Sequence, residues 1–110
     1  MVEFSQDDLE WMQAICRFLE IEWNLQVKIS ITTDYNHFKK YDAKAKVGGH
    51  HDKAGCFAET GLCWFNPDKH VTEPKVQLLN SIVHEILHCK YPQGTEKQIK
   101  SLTDIKVPIQ

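Results

Sequence analysis

His84, Glu85 and His88 stand in the pattern H-E-x-x-H, inside a segment whose apolar residues recur at helical spacing. On a helix of about 3.6 residues per turn, His84 and His88 lie about 40° apart around the axis, and Glu85 lies about 60° beyond His88. Two imidazoles and a carboxylate therefore share one face. Neutral imidazole nitrogens bind zinc at roughly 2.0–2.1 Å, and a catalytic zinc takes three protein ligands and leaves one position to water. Glu85 is then placed to hold and deprotonate that water, so a zinc-dependent hydrolase is the leading reading.

The rest of the segment supports a cleft wall. From Val76 to Cys89 the apolar residues Val76, Leu78, Leu79, Ile82, Val83, Ile86, Leu87 and Cys89 cover about half the helix circumference. The remaining stripe is Gln77, Asn80, Ser81, His84, Glu85 and His88. A solvated face usually carries Lys and Glu, whereas the central turns here place small neutral groups around one carboxylate. A third ligand has few sources after His88: Cys89, Glu96 and Asp104. Cys89 lies about 100° around the helix from His88, within the apolar face. Asp104 falls on the far side of a short last helix. Glu96 follows a tight turn at a helix start that can swing back over the His pair. Elimination favours Glu96, against the plainer reading of a first-turn acid stabilised by the helix dipole.

The elements that must position these groups are legible around them. Ser5 followed by Asp8 reads as a capped helix start, and Leu9, Met12, Ile15, Cys16, Leu19 and Trp23 give a first helix over roughly 6–22. Trp11, Phe18 and Ile21 widen its apolar side and read as core. From Gln26 to Thr33, Val27, Ile29 and Ile31 alternate with Lys28, Ser30 and Thr32, as in a half-buried strand. Asp34 to Asp52, with Tyr35, Phe38, Tyr41 and the run Gly48-Gly49-His50-His51, reads as irregular chain ending in a loop. Ala54 to Glu59 and Leu62 to Asn66 flank Thr60-Gly61 as a hairpin. Thr72 is the expected cap of the motif helix, with Pro74 in its first turn and Tyr91-Pro92 as its stop. Thr95-x-x-Gln98 reads as a capping box for the last helix, which carries Ile99 and Leu102 and precedes an extended tail. The expected fold is α+β, one domain over residues 1–110. It has an N-terminal helix behind a small mixed or antiparallel sheet of about three strands, with the motif helix beside it as the cleft floor.

Composition narrows the function classes. A length of 110 residues with 42% hydrophobic and 25% charged content fits one soluble globule. A formal charge of −2 gives no basic field for nucleic acid, and no apolar run reaches the length of a membrane span. The acidic start from Met1 to Asp8 lacks the basic-then-apolar order of a secretory signal, so a cytoplasmic location is expected. Cys16, Cys56, Cys63 and Cys89 contain no C-x-x-C pair and do not read as a disulfide framework. Cys16 and Cys89 fall at apolar helical positions, as small buried hydrophobes. Cys56 and Cys63 stay open.

An alternating strand, a hairpin leading into the H-E-x-x-H helix, a Tyr-Pro turn and a glutamate on the following helix together resemble the minigluzincins, very small relatives of the gluzincin metallopeptidases. The resemblance covers roughly residues 1–105, and its specific part is His84, Glu85, His88 and Glu96. It implies zinc on His84, His88 and Glu96, with Glu85 as general base and acid in peptide-bond hydrolysis. It also implies that Leu62, Cys63, Trp64 and Phe65 form a cleft rim pairing with an extended substrate. The extended metzincin pattern is excluded, because Tyr91 and Gly94 stand where it needs glycine and histidine. A deformylase-like ligand set keeps only Gly55-Cys56 of that enzyme's upstream context. A different class, a non-catalytic module binding a peptide strand at its hairpin edge, stays open beside the enzyme. Tyr91, His70, His50 and His51 are candidate oxyanion stabilisers. The expected partner is a flexible or unfolded polypeptide. Self-association is a further expectation: Asp104 to Gln110, extended, could add as a strand to the rim and occlude the zinc.

Overall fold

The computed structural model describes residues 2–41 and 53–107. Its sheet holds β1 (Ser30–Thr32), β2 (Ala54–Phe57) and β3 (Leu62–Phe65) in the order β1-β3-β2. β2 and β3 form the expected hairpin, antiparallel, with Cys56 opposite Cys63 and Gly55 opposite Trp64. β1 runs parallel to β3, with Ile31 opposite Cys63, so the chain must cross over between them. That crossover contains α2 (Tyr35–Tyr41), which corrects the reading of this stretch as irregular. Seven residues are too few for helical periodicity to declare itself, and the helix depends on what it packs against. Phe38 stacks on Phe57 with ring centroids 4.5 Å apart, and Tyr35 meets Trp64 edge-on at 4.9 Å. Gly48, Gly49, His50 and His51 lie outside the described residues.

β3 is the centre of the molecule. All four of its residues are buried, and successive side chains go to opposite faces of the sheet. Cys63 and Phe65 enter the main core with Met12, Cys16, Ile82 and Ile86, while Leu62 and Trp64 join Phe38 in a second cluster. A strand covered on both faces reads as an unbroken apolar run rather than as alternation. Two glycines make the close approaches possible. A Cβ on Gly55 would lie 3.2 Å from the Phe38 ring, so bare backbone lets that ring rest on the sheet. Gly61 has φ +75°, and a Cβ there would meet the Lys28 carbonyl oxygen at 2.4 Å.

The first helix, α1 (Gln6–Glu22), begins as expected: the Ser5 side chain accepts from the Asp8 N–H at 3.1 Å. Met12, Cys16 and Leu19 are its buried residues. Phe18 and Ile21 are 60% and 82% exposed, which corrects their assignment to the core. β1 is shorter than the alternation suggested, for a reason found on α1. The Ile29 N–H donates to the Glu20 carboxylate and the Ile29 carbonyl accepts from the Arg17 guanidinium, so the ladder starts only at Ser30.

After β3 a single turn, α3 (Pro67–His70), leads to the motif helix α4 (Lys75–Lys90). Pro74 is the N-cap and no side chain caps the helix, so Thr72 does not have the expected role. Tyr91 leaves the helical region at φ −124° and ψ 74° before Pro92, its N–H bonded to the Leu87 carbonyl. The last helix, α5 (Glu96–Lys106), opens on the expected capping box of Thr95 and Gln98. It runs longer than anticipated. Asp104 lies inside it and Val107 is buried in the main core, so Asp104 to Val107 is not an extended tail, and residues 108–110 lie outside the described residues. The strand-adding segment expected over Asp104 to Gln110 is corrected accordingly. Among the described residues no helix is long and apolar enough to cross a membrane.

Candidate metal centre

The C-terminal half of α4 carries His84 and His88 one turn apart on the side away from Ile82 and Ile86, with ring centroids 5.0 Å apart. Residues 91–95 then reverse the chain: the Gly94 N–H donates to the Tyr91 carbonyl at 2.9 Å, and Thr95 caps α5. This brings Glu96, the first residue of α5, back over the two imidazoles. His84 Nε2 lies 3.2 Å from one Glu96 oxygen and His88 Nε2 lies 2.7 Å from the other. The ligand atoms of His84, His88 and Glu96 all fall within 4.8 Å of one another, the only such group of three among the described residues. Tetrahedral bonds of roughly 2.0–2.1 Å separate ligand atoms by roughly 3.3 Å, so these spacings suit a shared ion. Glu96 is half exposed, while His84 and His88 are largely covered, which leaves the group open on one side.

Thr103 decides how His84 is oriented. Its hydroxyl is buried, donates to the Ile99 carbonyl at 2.7 Å, and lies 3.3 Å from His84 Nδ1. A hydroxyl has one proton, and this one is spent on Ile99, so Thr103 accepts from Nδ1–H. With Nδ1 donating, a neutral His84 turns its Nε2 lone pair toward the Glu96 carboxylate, whereas a protonated His84 donates to that carboxylate from Nε2. Atoms 3.2 Å apart here share a cation, either a proton on Nε2 or a metal ion, and two imidazoles with one carboxylate form a group that could hold a metal. Thr103 escaped the sequence reading. Its signal is the spacing, since seven residues from Glu96 return to the same face of a helix within about 20°.

Glu85 is buried, only 4% exposed, and lies close enough to Glu96 to feel its charge. Burial, and after it the negative charge of Glu96, pushes its carboxyl up to about 8, with the Cys56 thiol opposing the shift. In the structure the single proton of the Cys56 thiol on β2 goes to the Glu85 backbone carbonyl at 3.3 Å. Cys56, Cys63 and Cys89 form a group of free thiols within hydrogen-bonding reach of one another. Cys63 is pushed well above the usual thiol range, first by its hydrogen bond to Cys56 and then by the one to Cys89 and by burial. Cys56 is outside the group that could hold a metal, so the deformylase-like ligand set finds no counterpart here.

The expected substrate contacts require correction. Leu62, Cys63, Trp64 and Phe65 are the central strand, paired on one side with β1 and on the other with β2, and none of them forms a rim. Sequence order misled here: the strand before the motif helix is not the strand at the sheet edge. Among the described residues the edge nearest Glu85 is that of β2. Tyr91 is 44% exposed and lines a groove of about 790 Å³ with Pro92, Ile99 and Leu102, which no candidate metal ligand lines. His70 is buried, with Nδ1 2.8 Å from the Asn66 carbonyl and Nε2 2.9 Å from the Ser81 hydroxyl, so both ring nitrogens are engaged in fastening α3 to α4. It is not an oxyanion stabiliser. Comparisons with protein-family profiles, with curated proteins and with solved structures found no match to this chain.

Proposed function

We propose that this protein is a zinc-dependent endopeptidase of minigluzincin type that hydrolyses flexible or unfolded polypeptide. The observation that carries the reading is the convergence of the His84 and His88 nitrogens on the two oxygens of Glu96, with the three ligand atoms close enough together to share one ion. His84, His88 and Glu96 would hold the ion, and Thr103 keeps the His84 lone pair on Nε2. A zinc ion there supplies Lewis acidity at an open coordination position. Glu85 takes the proton of the attacking water and delivers it to the leaving amine. Its carboxyl, raised toward neutrality by burial, suits both halves of that transfer. The cation's own charge draws the carboxyl back toward its ionised form, the one needed to start. An extended chain would pair with the edge of β2, whose Cys56 touches Glu85. The half-exposed position of Glu96 leaves the group open on one side, which suits access by an unfolded chain.

The burial of Glu85 favours one second reading, a metal-stabilised peptide-binding module in which Glu85 is structural. Zinc content by atomic emission, measured together with cleavage of a casein-like chain and of a folded protein, separates the two. The enzyme reading expects one bound zinc, cleavage of the unstructured chain and its loss on chelation. Full zinc occupancy without cleavage would leave the module.

A further inference from the structure

The metal centre makes no use of the thiols on the other side of Glu85. Cys56 and Cys63 are direct cross-strand partners in the β2–β3 hairpin. The Asn66 N–H donates to the Lys53 carbonyl at 2.8 Å, which makes Lys53 and Asn66 a hydrogen-bonded pair at the open end of the same ladder. Hydrogen-bonded and non-hydrogen-bonded pairs alternate along an antiparallel ladder, so Gly55 with Trp64 is bonded and Cys56 with Cys63 is not. Non-hydrogen-bonded partners have Cα atoms about 4.5 Å apart and the closer side chains, inside the range that a disulfide spans. The two residues also share a face of the sheet, directed at Glu85 and Cys89 of α4.

We propose that Cys56 and Cys63 are an oxidation site: a peroxide converts this cross-strand dithiol into a disulfide. Cys56, the more exposed of the two, meets the oxidant as a thiol held above its usual range, since the lowering by Cys63, which is fully buried beside it, is outweighed by its hydrogen bond to Cys89 and by burial. The Cys56 sulfur attacks one peroxide oxygen, the O–O bond breaks and water leaves, giving a sulfenic acid at Cys56. The Cys63 sulfur then attacks the Cys56 sulfur and displaces a second water. The pair loses two electrons and two protons, and hydrogen peroxide is reduced to two waters. The same group of thiols is not a second metal site, because its ligand atoms do not converge as those of His84, His88 and Glu96 do. The bond has a local consequence. Cys56 no longer has a proton to give to the Glu85 carbonyl, which it now bonds at 3.3 Å.

The test treats the reduced, full-length protein with hydrogen peroxide near equimolar, then alkylates the remaining thiols and maps the peptides by mass. The expected result is a mass loss of two hydrogens, a peptide joined between Cys56 and Cys63, and Cys16 and Cys89 still alkylated. Cys89→Ser should form the same bond, and Cys56→Ser should form none. A bond to Cys89 instead, or oxidation of Cys56 to a sulfinic acid with no joined peptide, would overturn the assignment. So would a protein that keeps all four thiols under conditions that oxidise a free dithiol.

Discussion

The two sides of α4 near its C-terminus carry donor atoms of opposite character. On one side His84 and His88 face Glu96 with nitrogen and oxygen donors, in a group that is half open to solvent. On the other, Cys89 faces Cys56 and Cys63 with sulfur donors that are mostly buried. Only the first has its donor atoms convergent on a point. The difference teaches that donor type alone does not make a metal site. The reversal at residues 91–95 aims Glu96 at a gap between two imidazoles. The hairpin, by contrast, pairs Cys56 with Cys63 across its strands, and these thiols are not among the groups placed to share an ion. Glu85 stands between the two sides and is sensitive to both, through the charge of Glu96 and the hydrogen bond from Cys56.

The sharpest way to break this contrast is to separate ligand from base. His84→Ala or His88→Ala should abolish zinc occupancy, whereas Glu85→Gln should keep it and lose about 10²–10⁴-fold in turnover. Atomic emission beside a peptide-cleavage assay reads both. Equal zinc in wild type and both histidine variants would show that the imidazoles are not ligands. Thr103→Val, which preserves shape and removes the hydroxyl, should weaken zinc about 10–100-fold in competition with a chelator while the fold is retained. Unchanged affinity would mean that Thr103 merely closes the α4–α5 packing. Cys56→Ser, on the sulfur side, should leave zinc affinity unaltered, and a loss equal to that of Thr103→Val would erase the distinction between the two sides.

A smaller effect concerns pH. In chelator-treated protein the Glu85 carboxyl is raised from an ordinary 4.5 to about 8. The folded state therefore holds a proton that the unfolded chain has released, and stability falls as pH rises from about 4.5 to about 8. Below the lower value Glu85 carries no penalty, and above the upper one the penalty is complete. Thermal melts across that window should show the decline, and Glu85→Gln should flatten it. A melt that strengthens with pH over the same range in wild type would show that the buried acid is ionised in the fold.

The sequence by itself determined what depends on near neighbours along the chain. The bounds of α1, the hairpin around Gly61 and the Thr95–Gln98 capping box follow from local hydrogen bonding and turn chemistry, and all three are found where expected. The shared face of His84 and His88 follows from helical geometry alone, and Glu96 could be reached by elimination because few donors follow them. Tertiary structure decided the rest. Whether Leu62 to Phe65 lies at the edge or the centre of the sheet depends on where β1 pairs, and a fully apolar strand fits either place until its partners are known. α2 needs Phe57 and Trp64 beneath it to be a helix worth forming. Phe18 and Ile21 are exposed because no element covers that side of α1 among the described residues, which no periodicity can announce. Thr103 meets His84, and Cys56 meets Glu85, only through contacts made across the fold. The contact of Thr103 with His84 is set by the packing of α5 on α4, and the side to which Cys56 and Cys63 turn is set by the packing of the hairpin on α4.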